Sequence, residues 1–151
     1  MKRLSLYALL ALILDQASKL WVLKGLNLAA VEKIEVFPPF LNFHMAWNTG
    51  VNFGLFAANK WILIALALAI CVWVVLWVRR GMNAWGQLFA GLLLGGALGN
   101  VIDRVIYGAV VDFLNMSCCG IDNRWSFNVA DAAIFVGAFG LILFAKDNKT
   151  P

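Results

Sequence analysis

Residues 61–78 read WILIALALAICVWVVLWV, an unbroken apolar run without a charged side chain. A helix of roughly 20 such residues spans the ~30 Å hydrocarbon core of a bilayer. Three further stretches approach the same length, so spans are expected at about residues 4–23, 61–78, 84–102 and 129–145. Their apolar positions are continuous and do not alternate every second residue, which predicts helices and not the strands of a barrel. Hydrophobic residues make up 63% of the 151 and charged residues 13%, with a mean hydropathy of +0.84. That is more apolar surface than a soluble domain of this size needs. The expected architecture is a membrane all-α fold, one domain over residues 1–151, with outer loops at about 24–60 and 107–128.

Basic residues set the expected orientation. Lys2 and Arg3 precede the first span, Arg79 and Arg80 follow the second, and Lys146 and Lys149 follow the fourth. If every segment crosses once, all three groups fall on one side, and both termini are cytoplasmic. Those flanks account for much of the net charge of +4, leaving no basic patch that would argue for nucleic acid. Met1, Lys2 and Arg3 ahead of an apolar run also resemble a secretion signal, but the run continues past Asp15 and Lys19 and no A-x-A site follows. Cys71 lies within the second span; Cys118 and Cys119 are adjacent in the second outer loop and are given no catalytic role.

The first outer loop carries the strand character. Leu41, Phe43, Met45 and Trp47 alternate with polar or small residues, Asn48-Thr49-Gly50 offers a turn, and Val51, Phe53 and Leu55 resume the alternation. A small extracytoplasmic hairpin or sheet is expected, entered at Pro38 and Pro39, with Asn48 at its tip and its apolar face resting on the bilayer or the helix ends.

Two aspartates stand out against this background: Asp112 in GAVVDF (108–113) and Asp131 in FNVADAAI (127–134), both bordering apolar segments. A carboxylate beside hydrocarbon is costly unless it is used. Two that converge in a shielded site cannot both ionise easily, so one keeps its proton while the other serves as base. Asn128 fits the N-cap of the fourth helix with Asp131 in its first turn. The positive helix end favours an ionised acid, which makes Asp131 the base and Asp112 the proton carrier. Capping alone is the competing account of the same residues. On the first helix, Asp15 and Lys19 are four apart and share a face; a neutralised ion pair with Lys19 reaching out to the interface is expected. Gly91, Gly95 and Gly99 on the third helix have the spacing of close helix approach. Asn100, Asp103 and Arg104 cluster at its outer mouth, where Arg104 serves as a clamp to a carboxylate or binds a lipid phosphate or a peptide carbonyl.

Taken in order, Asp15-Gln16-Ala17-Ser18-Lys19, Asn48-Thr49-Gly50-Val51-Asn52-Phe53-Gly54, Gly95-Gly96-Ala97-Leu98-Gly99-Asn100-Val101-Ile102-Asp103-Arg104, Val111-Asp112-Phe113 and Phe127-Asn128-Val129-Ala130-Asp131 make the chain resemble bacterial lipoprotein signal peptidase, or signal peptidase II. The resemblance covers essentially the whole chain. It implies a four-helix aspartyl peptidase of the bacterial inner membrane that cleaves diacylglyceryl-modified prolipoproteins before the lipid-modified cysteine, at the extracytoplasmic face, without metal or cofactor. It further implies Asp112 and Asp131 as the catalytic pair, with Asp15, Lys19, Asn48, Gly50, Asn100, Asp103, Arg104, Asn128 and Ala130 in supporting or substrate-facing positions. Val51-Asn52 and Ala132 depart from the family's commoner residues and bear on substrate preference. The expected partners are the prolipoprotein and membrane lipid; nothing in the sequence sets an oligomeric state. Other peptidase chemistries are poorly supplied, with no H-E-x-x-H, G-x-S-x-G or G-x-G-D motif and only a Cys119–His44 pair to consider. The alternatives from other classes are a small proton-coupled transporter and a non-catalytic lipoprotein chaperone. The first needs polar groups through the whole depth of the membrane, which residues 61–78 do not provide.

Overall fold

The computed structural model describes residues 1–50, 59–118 and 123–146. Helix α1 (Lys2–Leu20) continues through a π-helical turn at Trp21–Gly25 and is followed by a single helical turn, α2 (Leu28–Val31). Strands β1 (Lys33–Phe37) and β2 (Leu41–Asn48) come next, then the long helices α3 (Lys60–Arg79) and α4 (Ala84–Tyr107). Strands β3 (Val110–Met116) and β4 (Ser126–Phe127) lead into α5 (Val129–Phe144). Asparagines open the three later helices. The side chains of Asn59, Asn83 and Asn128 accept N–H bonds from Trp61, Gly86 and Asp131, satisfying donors that a helix start otherwise leaves bare.

Among the described residues, three helical segments are long and apolar enough to cross a membrane: Lys2–Gly25, Lys60–Val78 and Ala84–Tyr107. The fourth expected span is an apolar helix of 16 residues, about 24 Å long and short of a ~30 Å core. Helix α4 runs to Tyr107, well beyond the expected end at residue 102. Asp103 and Arg104 therefore stand on its last turns, before Gly108 closes it at φ 78°, a conformation that costs glycine little. The outward faces of α1, α3 and α5 are strongly apolar; Leu9, Ile62, Trp73, Phe135 and Ile142 are all exposed. Such a surface suits lipid and not water.

Helix α4 is the hub, packed on α1, α3 and α5. Its glycines permit the close approach. A methyl group at Gly91 would meet Tyr7 and the Leu4 carbonyl, at Gly95 the Ala8 carbonyl, and at Gly99 the Asp15 carboxylate. The 91-95-99 stripe thus seats α1, as its spacing predicts. Gly96, one position round, lies against the Ala130 carbonyl, and Gly137 returns the contact from α5 to Phe89 and Leu93.

The sheet is antiparallel, in the order β1-β2-β3-β4. Only β2 matches the expected strand region. Pro38 and Pro39 lie in the turn between β1 and β2, joined by a cis peptide bond. Asn48 is the last residue of β2 and pairs with Val110 of β3. The expected return at Val51, Phe53 and Leu55 lies outside the described residues. The sheet rests on the helix ends, with Val22, Leu28 and Phe113 forming a small core that Ile34, Phe43 and Met45 pack against. Cys71 is a buried free thiol and Cys118 is disulfide-bonded.

Replacing Gly95 by valine is expected to cost about 1–3 kcal/mol through overpacking. Thermal unfolding of the purified protein in detergent should register that loss, while Val136→Ala on the exposed face of α5 should move stability by no more than about 0.5 kcal/mol.

Candidate active site

Lys19 does not reach outward to the interface. It is 2% exposed, and its Nζ lies 2.8 Å from Asp15 Oδ2 and 2.8 Å from Asp103 Oδ2, donating also to Asn100 Oδ1 at 3.2 Å. The inward turn has a plain cause. An ammonium that can reach two carboxylates and an amide oxygen in a dry interior recovers the hydration it gives up. The carboxylates are saturated in turn. Asp15 Oδ1 accepts the N–H of Ala130 at 2.9 Å, and Asp103 Oδ2 accepts the N–H of Val111 at 3.1 Å. Gln16 Nε2 donates to Asp15, Asp103 and the Gly99 carbonyl at 3.1, 3.0 and 3.3 Å. Gln16 was not among the expected site residues, although its place beside Asp15 on the same helical turn is the signal that could have found it.

Asp112 and Asp131 are joined to this cluster by two asparagines. Asn128 Nδ2 donates to Asp112 Oδ1 at 2.6 Å and to Asn100 Oδ1 at 3.3 Å. Asn100 Nδ2 donates to Asp131 Oδ1 at 2.9 Å, and the Asp131 N–H returns to Asn128 Oδ1 at 2.8 Å. The last bond is the helix cap, and it fixes which way the Asn128 amide faces. Asn48 Nδ2 completes the surroundings of Asp112, donating to Oδ2 at 3.0 Å. Each Asp112 oxygen thus receives an amide donor and keeps one lone pair for a proton. Burial, reinforced by the charge of Asp131, lifts Asp112 from its ordinary 3.8 to about 7, against the opposing pull of the Asn48 and Asn128 donors and of Lys19.

The remaining predicted positions fall around this core. Gly50 N–H donates to Asn48 Oδ1 at 3.1 Å, and its carbonyl accepts from Arg104 at 3.0 Å. Arg104 also donates to the Asn100 carbonyl at 3.3 Å. Asp103 is engaged by Lys19, and of the roles expected for Arg104 the bond made is to a peptide carbonyl, that of Gly50 in this chain. Ala130 contributes its backbone, since its side chain is fully buried. All eleven predicted positions are thereby brought together. A groove of about 500 Å³ opens between α3, α4 and α5, walled by residues such as Leu66, Ile70 and Phe135, and ends on Asn100, Arg104 and Asp131. Among the described residues no group of His, Cys, Asp and Glu is placed to hold a metal ion.

The sequence profile of the family described as Signal peptidase (SPase) II matches residues 7–146. A lipoprotein signal peptidase of Methylobacterium radiotolerans is 46% identical, covering 94% of this chain and 88% of that protein. One of Methylorubrum extorquens is 45% identical over 93% of this chain and 84% of its own length, and one of Pseudomonas fluorescens 39% over 95% and 87%. In three dimensions the chain is similar to a bacterial membrane enzyme solved at 2.3 Å by the in meso method. The TM-score is 0.81 at 28% identity, covering 95% of this chain and 87% of that one.

Lys19→Met leaves two buried carboxylates without their cation and is expected to destabilise the protein by about 3–5 kcal/mol. Lys33→Ala removes only an exposed pair with Glu35 at 3.7 Å and should cost less than about 1 kcal/mol. Comparison of their unfolding midpoints in detergent checks the contrast.

Proposed function

The chain belongs to the signal peptidase II family, and from that premise we propose that it removes the signal peptide from diacylglyceryl-modified prolipoproteins with Asp112 and Asp131 as an aspartic catalytic pair. The observation that carries this reading is the closed amide network that couples the two acids, with Asp131 at the polar head of an apolar groove. A substrate with acyl chains and an apolar signal helix suits that groove and can approach sideways through the bilayer.

The chemistry follows from the two environments. Asp131, in the first turn of α5, takes a proton from water as the water oxygen attacks the carbonyl carbon of the scissile bond. Protonated Asp112 polarises the carbonyl oxygen. When the carbon–nitrogen bond breaks, the proton passes to the leaving amine of the cysteine, so water is divided between a new carboxyl and a new amino group. Lys19, Asp15 and Asp103 position the pair, Asn48, Asn100 and Asn128 orient it, and Arg104 with Gly50 holds the end of β2 beside it. The whole of residues 1–151 acts as one domain. In this reading α5 crosses the membrane as a fourth span, short enough to thin the bilayer locally. The basic flanks then place both termini in the cytoplasm, with the site at the outer face of the inner membrane.

Purified protein in detergent, given a diacylglyceryl-modified prolipoprotein, is expected to cleave it, and Asp112→Asn and Asp131→Asn should each lose at least about a thousandfold in kcat while still binding substrate. Undiminished cleavage in either variant rejects that residue, and a wild type that binds but never cuts rejects the peptidase reading in favour of a helper. A pH profile adds a second check. Because Asp112 must carry its proton, kcat/KM should decline as pH rises through about 7. The same group binds its proton more tightly folded than unfolded, so its contribution to stability is full below its unfolded value and is lost as pH rises through about 7. The unfolding midpoint of Asp112→Asn should therefore gain on wild type between pH 4 and 8.

A further inference from the structure

A second opening reaches one of the candidate acids, Asp112. It is a pocket of about 210 Å³, and among its lining residues are Asn48, Thr49, Asp112, Arg124, Trp125 and Ser126. Its lining is richer in polar groups than that of the groove between α3, α4 and α5. The groove ends on Asp131 and is walled by aliphatic and aromatic residues; the pocket ends on Asp112 and sets amide, hydroxyl and guanidinium groups beside the rings of Trp47 and Trp125. A substrate cut at a membrane surface has the same asymmetry, with an apolar signal helix and acyl chains on one side and a polar mature chain leaving into water on the other.

We propose that this pocket receives the residues that follow the lipid-modified cysteine, and that Arg124 biases it toward acidic side chains there. The inference rests on reading Asp112 and Asp131 as the catalytic pair, because the scissile bond must then lie across the junction of the two openings. The rim is built to hold a position. Asn115 Nδ2 donates to the carbonyls of Asn123 at 2.8 Å and Trp125 at 3.0 Å, Asn123 Oδ1 accepts the Trp125 N–H at 3.0 Å, and Ser126 Oγ donates to the His44 carbonyl at 2.8 Å. Arg124 sits between these anchored residues, exposed at the pocket mouth. Among the described residues no carboxylate pairs with it. A guanidinium carried between anchored neighbours at the mouth of a pocket favours an anion that arrives there and repels a cation.

The test uses the full chain in detergent and three diacylglyceryl-modified prolipoproteins that differ only in the residue after the cysteine: aspartate, serine or lysine. At low ionic strength the wild type should prefer aspartate to lysine about fivefold in kcat/KM. Arg124→Ala should bring that ratio close to one, and Arg124→Glu should invert it. Lys33→Glu makes the same change of charge on β1, the far edge of the sheet, and should leave the ratio as in wild type. Each ratio is measured within one variant, so a loss of folded protein cancels. A ratio that Arg124→Glu does not change, or that Lys33→Glu changes equally, overturns the subsite. Cleavage of the serine substrate by Asp112→Asn overturns the catalytic pair instead, so the two failures are distinguishable.

Discussion

One buried cation, Lys19, organises the candidate active site of this molecule. Lys19 is enclosed by Asp15, Asp103 and Asn100, and removing an ammonium from water in this way is tolerable only because each partner is itself held. The outer lone pairs of the two carboxylates accept the backbone N–H groups of Ala130 and Val111. Those residues immediately precede Asp131 and Asp112. The ion cluster therefore grips the chain one residue before each candidate catalytic acid, once at the start of a helix and once within a strand, and sets their separation without touching either side chain. An ion pair buried at this cost is better explained by positioning than by stability, since apolar residues of the same volume would hold helices together at least as well.

The small residues of α4 serve the same arrangement. Asp15 can reach the N-terminus of α5 only if α1 and α5 both press against α4, and Gly95, Gly96 and Gly99 are the positions where a methyl group would hold them off. Gly99 faces Asp15 itself, so the packing stripe and the polar cluster are adjacent parts of one helix surface. Without a hydrophobic force between helices in lipid, close packing of this kind and interhelical polar bonds supply the cohesion.

Much of this was legible in the chain. Long apolar runs announce helices wherever they occur, and the four-residue spacing of the glycines identifies a contact face without naming its partner. The pairings across the fold were less legible. β3 lay unrecognised within the expected outer loop because nearly every residue from Val110 to Asn115 is buried, which removes the two-residue alternation by which strands are recognised. Lys19 was misread for a different reason. Its spacing from Asp15 fixes a shared face, but the decision to turn inward is made by Asp103, 84 residues later, whose proximity no local pattern encodes. Gln16 is hidden in the same way, its partners being Gly99 and Asp103 of another helix. The family resemblance named positions that the fold brings together, without indicating which touched which.

Asn128 shows why local and catalytic accounts of a residue need not compete. As a helix cap its side-chain oxygen must accept an N–H from the first turn of α5, and Asp131 provides it. That commitment turns the amino group to the interior, so the cap presents donors to Asp112 and to Asn100. Asn100 is committed likewise, its oxygen to Lys19 and Asn128 and its amino group to Asp131. Each acid's carboxyl group thus meets only donors from the two amides. Such an environment accepts a negative charge on either acid in turn while their mutual repulsion disfavours both at once, the condition under which a pair of identical side chains can divide the work of acid and base.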